Sequence, residues 1–134
     1  MVVIDASDAV MGRLAVEVIK ELKKGETVHV INLEKAVITG NPDSIVDFYK
    51  TRVDKGERYH GPFFPKRPDG IFKRALRGMV AYKRKSGREM MAHLKVHSGI
   101  PRNVKTEGAK KLGLKEIRCK YITLSDLSKR LGGI

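Results

Sequence analysis

The first third of the chain sets a β-branched run, an amphipathic stretch and a second apolar run in immediate succession, and that order constrains the fold more than any other feature. Val2, Val3 and Ile4 read as a short strand, followed by Asp5-Ala6-Ser7-Asp8, in which Ser7 or Asp8 is placed to cap a helix. Val10, Met11, Leu14, Ala15, Val18, Ile19 and Leu22 then recur at helical spacing, with Arg13, Glu17, Lys20 and Lys24 opposite. Lys23-Lys24-Gly25 supplies a cationic last turn and a glycine stop, and Thr27 to Leu33 reads as a second strand. Strand, helix and strand within about thirty residues predict a right-handed crossover and a parallel pair.

The rest of the chain reads as shorter elements. Ala36 to Thr39 is a third strand, and Gly40-Asn41-Pro42 turns it into a helix with Asn41 as cap, Pro42 in the first turn and Ile45, Val46, Phe48 and Tyr49 as its apolar side. From Thr51 to Pro68 periodicity stops. Two glycines and three prolines separate cations and aromatics there, which predicts an extended basic arm or loop at about 51–68. Helical periodicity resumes from Ile71 to Val80: Ile71, Phe72, Ala75, Leu76, Met79 and Val80 fall on one half of the wheel and Lys73, Arg74 and Arg77 on the other. Lys83 to Arg88 is a basic turn, Glu89 to His93 begins a short helix, and Leu94 to His97 alternates as a strand before Ser98-Gly99-Ile100-Pro101 breaks it. Glu116 to Leu124 reads as a strand that packs Cys119, and Ser125 to Leu131 as a serine-capped helix stopped by Gly132-Gly133. At 134 residues the chain is expected to form one domain. It has no apolar run of the roughly eighteen residues that a membrane span needs, and Asp5 interrupts any secretory apolar region, so a soluble, unexported protein is expected.

Charge divides the chain. Residues 1–49 carry five Lys and Arg against eight Asp and Glu (net −3), residues 50–105 carry sixteen against four (net +12), and residues 106–134 carry seven against three (net +4), for a total of +13. The central stretch would repel itself unless a polyanion lay beside it, and the natural one is nucleic acid. Catalytic alternatives lack their residues. The first strand-to-helix turn holds one glycine and two carboxylates where a dinucleotide fold places three glycines and a pyrophosphate, and no phosphate-cradling lysine motif occurs. No cofactor is expected. His29, His60, His93 and His97 are dispersed; only His93 and His97 share a helical spacing, and without a Cys or carboxylate partner they predict no metal site. Asp54, Glu57, Asp69 and Glu89 do not cluster as a metal-dependent phosphodiesterase would need. Cys119 is the sole cysteine, so no internal disulfide forms.

A run of cations is ordinarily just a solvated face. Here arginine is interleaved with flat and turn-forming residues in Arg58-Tyr59-His60-Gly61-Pro62-Phe63-Phe64-Pro65-Lys66-Arg67, which favours contact with phosphate and with unpaired bases. At least one of Phe63 and Phe64 is expected to anchor the arm to the core. The candidate RNA-binding residues are Arg52, Lys55, Arg58, Tyr59, His60, Lys66, Arg67, Lys73, Arg74, Arg77, Lys83, Arg84, Lys85, Arg88 and Arg102. No helix-turn-helix, zinc-finger or basic-zipper pattern points to duplex DNA. An RNA-processing or RNA-modifying enzyme, or a generic nucleic-acid binder, are the alternatives.

Several segments together carry a family likeness: Ile4-Asp5-Ala6 with Met11-Gly12-Arg13-Leu14-Ala15, Val30-Ile31-Asn32 with Ile38-Thr39-Gly40-Asn41, and above all Phe72-Lys73-Arg74-Ala75-Leu76-Arg77-Gly78-Met79. The last continues through Lys83-Arg84-Lys85-Ser86-Gly87 to Leu94-Lys95-Val96-His97-Ser98-Gly99-Ile100-Pro101. Nearly end to end, the sequence resembles the universal ribosomal protein family numbered thirteen in the large subunit. The resemblance implies a three-layer α/β/α sandwich with a mainly parallel central sheet. It implies a structural, non-enzymatic protein of the cytoplasmic large ribosomal subunit that binds large-subunit ribosomal RNA beside neighbouring ribosomal proteins, with no membrane and no small-molecule substrate. The central blocks look archaeal or eukaryotic in type, and the absence of a long extension after Leu131 makes an archaeal source the expectation.

Overall fold

A computed structural model describes residues 1–113 and 116–133. The predicted crossover is present: β1 (Val2–Asp5), α1 (Met11–Lys23) and β2 (Val28–Ile31) follow one another, and β1 pairs in parallel with β2 from Val2 opposite Val28 to Asp5 opposite Ile31. Two later strands extend this sheet in parallel. β4 (Leu94–Val96) joins β2, and the short β5 (Lys110–Lys111), which the sequence pattern does not announce, joins β1, for an order β4-β2-β1-β5. The third predicted strand, β3 (Val37–Thr39), lies outside this sheet and pairs antiparallel with β6 (Tyr121–Thr123). A 3-10 turn at Leu33–Lys35, entered through Asn32 in the left-handed region at φ 54, redirects the chain between β2 and β3.

Five helices flank the strands: α1, α2 (Pro42–Asp54), α3 (Pro68–Arg77), α4 (Lys85–Ala92) and α5 (Leu124–Leu131). Ile4, Val28, Val30 and Leu94 from the sheet form one core with Leu14, Val18 and Leu22 of α1, Ile71, Phe72 and Leu76 of α3, and Leu124 and Leu127 of α5. Each such side chain contributes about 1.5–3 kcal/mol by leaving water. Successive strand residues face opposite sides of a sheet. Val3 and Ile31, neighbours of Ile4 and Val30, are also buried, so the sheet is covered on both faces and the architecture is an α/β sandwich.

Several local expectations need correction. Neither Ser7 nor Asp8 caps α1. The Ser7 amide and hydroxyl both donate to Asp5 Oδ1 (3.0 and 2.8 Å), Asn32 Nδ2 donates to the same oxygen at 3.3 Å, and the residue at the cap is Val10, which offers no side-chain bond. Asn41 does cap α2, its Oδ1 accepting from the Asp43 amide at 3.1 Å, with Pro42 next in line. The cap of α5 is Thr123, not Ser125, because the helix starts at Leu124; Thr123 Oγ1 accepts from the Asp126 amide at 3.2 Å. Only Tyr121–Thr123 of the predicted last strand is strand, its buried residue is Ile122, and Cys119 is exposed. Helix α2 runs on to Asp54, so the first residues of the presumed arm are helical. Helix α3 ends at Arg77, which leaves Met79 half exposed instead of in the core.

Candidate nucleic-acid interface

Helices α2 and α3 bring the central cations together. Asn41 and Pro42 start α2, whose inner side packs Ile45, Val46, Tyr49 and Val53 against the core and so presents Arg52, one turn beyond Tyr49, outward. Pro68 starts α3, and burial of Ile71, Phe72 and Leu76 turns Lys73 and Arg74 to solvent, with Arg77 half-buried beside them. The intervening chain folds back through Phe64, which packs against the core while Phe63 stays exposed, so Phe64 is the anchor of the segment.

The result is a cleft of about 280 Å³ lined by Tyr49, Arg52, Phe64, Ile71, Arg74, Ala75, Arg77, Gly78 and Tyr82. Its cations lie against its aromatics. The Arg52 guanidinium is 4.4 Å from the Phe48 ring centroid and 5.9 Å from that of Phe64, Arg74 approaches the opposite neighbour Phe64 at 5.9 Å, and Arg77 lies 4.7 Å from the Tyr82 ring. Such contacts hold the guanidinium plane while leaving its N–H edges available. Burial pushes the Tyr49 hydroxyl above its ordinary pKa, against the opposing pull of Arg52. A second hollow adjoins it, lined by Pro65, Gly70, Lys73, Arg74, Arg77 and Met91.

Most cations on this side of the molecule have no carboxylate partner among the described residues. Of the thirteen candidate lysines and arginines, only Arg67, 3.7 Å from Asp69, and Lys85, 3.9 Å from Glu89, lie within ion-pair reach of a carboxylate among the described residues. Some cations elsewhere are paired. Lys24 (3.2 Å) and Lys110 (2.8 Å) converge on Glu21, Lys20 meets Glu17 at 2.6 Å, and the N-terminal ammonium meets Glu26 at 2.7 Å. Direct hydrogen bonds from Lys110 and then Lys24 hold the Glu21 carboxyl below its ordinary pKa. Lys20, Lys24 and Lys110 are thus paired within the protein, whereas eleven of the thirteen central candidates have no carboxylate partner among the described residues.

The remaining candidates are dispersed around the cleft. Lys55 shares an outer hollow with Phe48 and Arg52. Arg58, Tyr59 and His60 sit on a tight turn closed by Glu57 and Gly61, where Arg58 lies 5.8 Å from the Tyr59 ring and His60 Nδ1 lies 2.9 Å from Glu57 Oε2. Lys66 is exposed, as are Lys83, Arg84 and Arg102, and Arg88 Nη2 donates to the Lys83 carbonyl at 2.9 Å. His93 ends α4 and shares no contact with His97, whose Nε2 instead lies 3.2 Å from His29 Nδ1 with the rings stacked. Among the described residues no three His, Cys, Asp or Glu side chains group as metal ligands, and no helix is long and apolar enough to cross a membrane. Sequence reasoning missed Tyr49, Gly78 and Tyr82 as cleft residues. Tyr49 was legible, standing three positions before Arg52 on the same helix.

Known proteins are similar to this chain over most of its length. The family model for ribosomal protein L13 matches residues 1–103. The large ribosomal subunit protein uL13 of Haloarcula marismortui is 44% identical over 132 residues, covering 98% of this chain and 90% of that protein. Its counterpart in Methanocaldococcus jannaschii is 44% identical over 136 residues, covering 98% of both chains. That of Thermoplasma volcanium is 40% identical over 136 residues and covers both chains completely. All three organisms are archaea, in keeping with the archaeal type of the central blocks. With the central motif Phe72 to Met79 inside the matched region and the similarity running nearly end to end, the chain belongs to the ribosomal protein L13 family.

Proposed function

We propose that this chain is a structural, non-enzymatic constituent of the large ribosomal subunit in the cytoplasm, acting as one RNA-binding domain that clamps large-subunit ribosomal RNA beside neighbouring ribosomal proteins. The observation that carries the reading is the set of cations gathered on α2, α3 and the segments around them, of which only Arg67 and Lys85 have a carboxylate partner among the described residues. Guanidiniums spread over several elements suit phosphates from more than one RNA segment, and binding to phosphate releases condensed counterions. The names of the archaeal relatives support the same role.

The test is competition binding of nuclease-treated protein to large-subunit ribosomal RNA fragments, with equal-length duplex DNA and unrelated structured RNA as competitors. Retention of one ribosomal fragment against both competitors is the expected result. Equal loss to every polyanion would reduce the cationic face to generic electrostatics, and turnover of the RNA would replace the structural role with an enzymatic one.

A further inference from the structure

We infer that the cleft between α2 and α3 receives a single unstacked nucleotide of the bound RNA, its base against the aromatic wall and its phosphate among Arg52, Arg74 and Arg77. The inference rests on the RNA-binding role proposed above and narrows it to one kind of ligand.

Size and chemistry both favour a lone nucleotide. At about 280 Å³ the cleft is near the lower end of pockets that hold small ligands, roughly 300 Å³ upward, and too small to admit a helix. Three guanidiniums without carboxylate partners ring an aromatic floor made by Tyr49, Phe64 and Tyr82. A duplex keeps its bases stacked inside and offers only phosphates, which would leave that floor unused. Loops and bulges splay their bases out, where aromatic faces and guanidinium planes bind them.

Gly78 supplies an independent observation. It lines the cleft with ordinary helical angles, φ −67 and ψ −17, so no backbone strain calls for glycine there. Packing does not call for it either: an added Cβ would meet only the Ala75 carbonyl oxygen, at an ordinary 3.5 Å. Gly87 is the contrast, since a Cβ there would collide with the Ala81 carbonyl. Glycine at 78 is thus explained neither by conformation nor by sterics within the protein. It leaves open space at the wall of a hollow that three arginines and three aromatics share.

The experiment is chemical footprinting of the large-subunit ribosomal RNA fragment retained in the competition assay, with wild type, Gly78→Leu and Tyr82→Leu. Gly78→Leu fills the cleft without altering charge, and a far-UV CD melt like that of wild type establishes that it folds. The expected result is protection of one unpaired base by wild type. In Gly78→Leu that protection disappears and affinity falls about 5- to 150-fold, the range spanned by one base–aromatic stacking contact, while backbone protections elsewhere persist. Tyr82→Leu alters an exposed ring and is expected to weaken the same protection, which decides the matter if Gly78→Leu melts early. Wild-type affinity and unchanged base protection in folded variants would overturn the nucleotide site and leave the clamp standing. Failure of wild type to retain any ribosomal fragment over competitor would remove the clamp, and the site with it.

Discussion

Glu21 shows how one buried charge can be structural in a chain that is otherwise built to expose charge. Its side chain is only 8% exposed, accepts from Lys110 Nζ at 2.8 Å and from Lys24 Nζ at 3.2 Å, and so ties α1 to the edge strand β5. Because these bonds hold its folded pKa below the ordinary carboxyl value of 4.5, the stabilisation is complete above that value and is lost as pH falls through the folded pKa. Glu21→Gln is expected to lower the melting temperature at pH 7 and to converge with wild type in acid; parallel pH profiles would show that the ion pairs add nothing. His29 gives the same sign for a different reason. Burial first, then His97, Lys95 and the N-terminal ammonium, lower its pKa below 6.5, so it costs the folded state stability as pH drops beneath 6.5. Gly87 is a steric case. It is buried in α4, where an added Cβ would collide with the Ala81 carbonyl and come within 2.8 Å of the Tyr82 amide nitrogen, so Gly87→Ala is expected to cost about 1–3 kcal/mol in denaturant unfolding, the range for overpacking. A neutral result would mean the 81–87 turn yields freely.

At the scale of elements, α3 joins core to interface, and substitution can separate the two. Leu76 is fully buried, so Leu76→Ala is expected to lose about 2–5 kcal/mol and Leu76→Asp to unfold the chain. Arg74 is exposed on the other side, so Arg74→Glu is expected to keep the melting curve and weaken RNA binding. An early-melting Arg74→Glu with normal binding at low temperature would reverse that assignment. This helix was legible because Ile71, Phe72 and Leu76 repeat at its own period, as was the β1–α1–β2 crossover, where period and stop signals agree. Its end was not legible: Met79 and Val80 continue the apolar pattern past Arg77, yet the backbone leaves the helix at Gly78. The placement of β3 escaped the pattern too, because a single left-handed residue, Asn32, decides where the chain goes. Short edge pairings such as β5, two lysines against Ile4 and Asp5, carry no periodic signal at all. For the candidate interface, the charge of the segment was plain in sequence. Which cations share a cleft was not, since Arg52 and Arg74 meet only through Phe64, and that contact is tertiary.

For the whole molecule, the proposed clamp predicts that substituting charges near the cleft and charges in the scaffold changes the salt dependence of RNA binding differently. Arg52, Arg74 and Arg77 have no carboxylate partner among the described residues, so each phosphate contact proposed for them would release counterions condensed on the RNA without breaking an ion pair in the protein. If about eight such contacts form, the logarithm of affinity falls against the logarithm of salt with a slope of about −6 to −7. Removing three of them in Arg52→Gln/Arg74→Gln/Arg77→Gln is expected to make that slope shallower by about 2–3, at roughly 0.7 to 0.9 per phosphate. Lys20, bound to Glu17 at 2.6 Å on the scaffold, provides the matched control: Lys20→Gln also lowers net charge yet leaves the slope where it was. Filter binding across a salt series separates the two mechanisms, because a long-range effect of net charge would move the slope in proportion to the charge removed wherever it sat. If the triple variant shifts the slope no more than three scaffold substitutions do, the α2–α3 cleft is not where RNA phosphates are met.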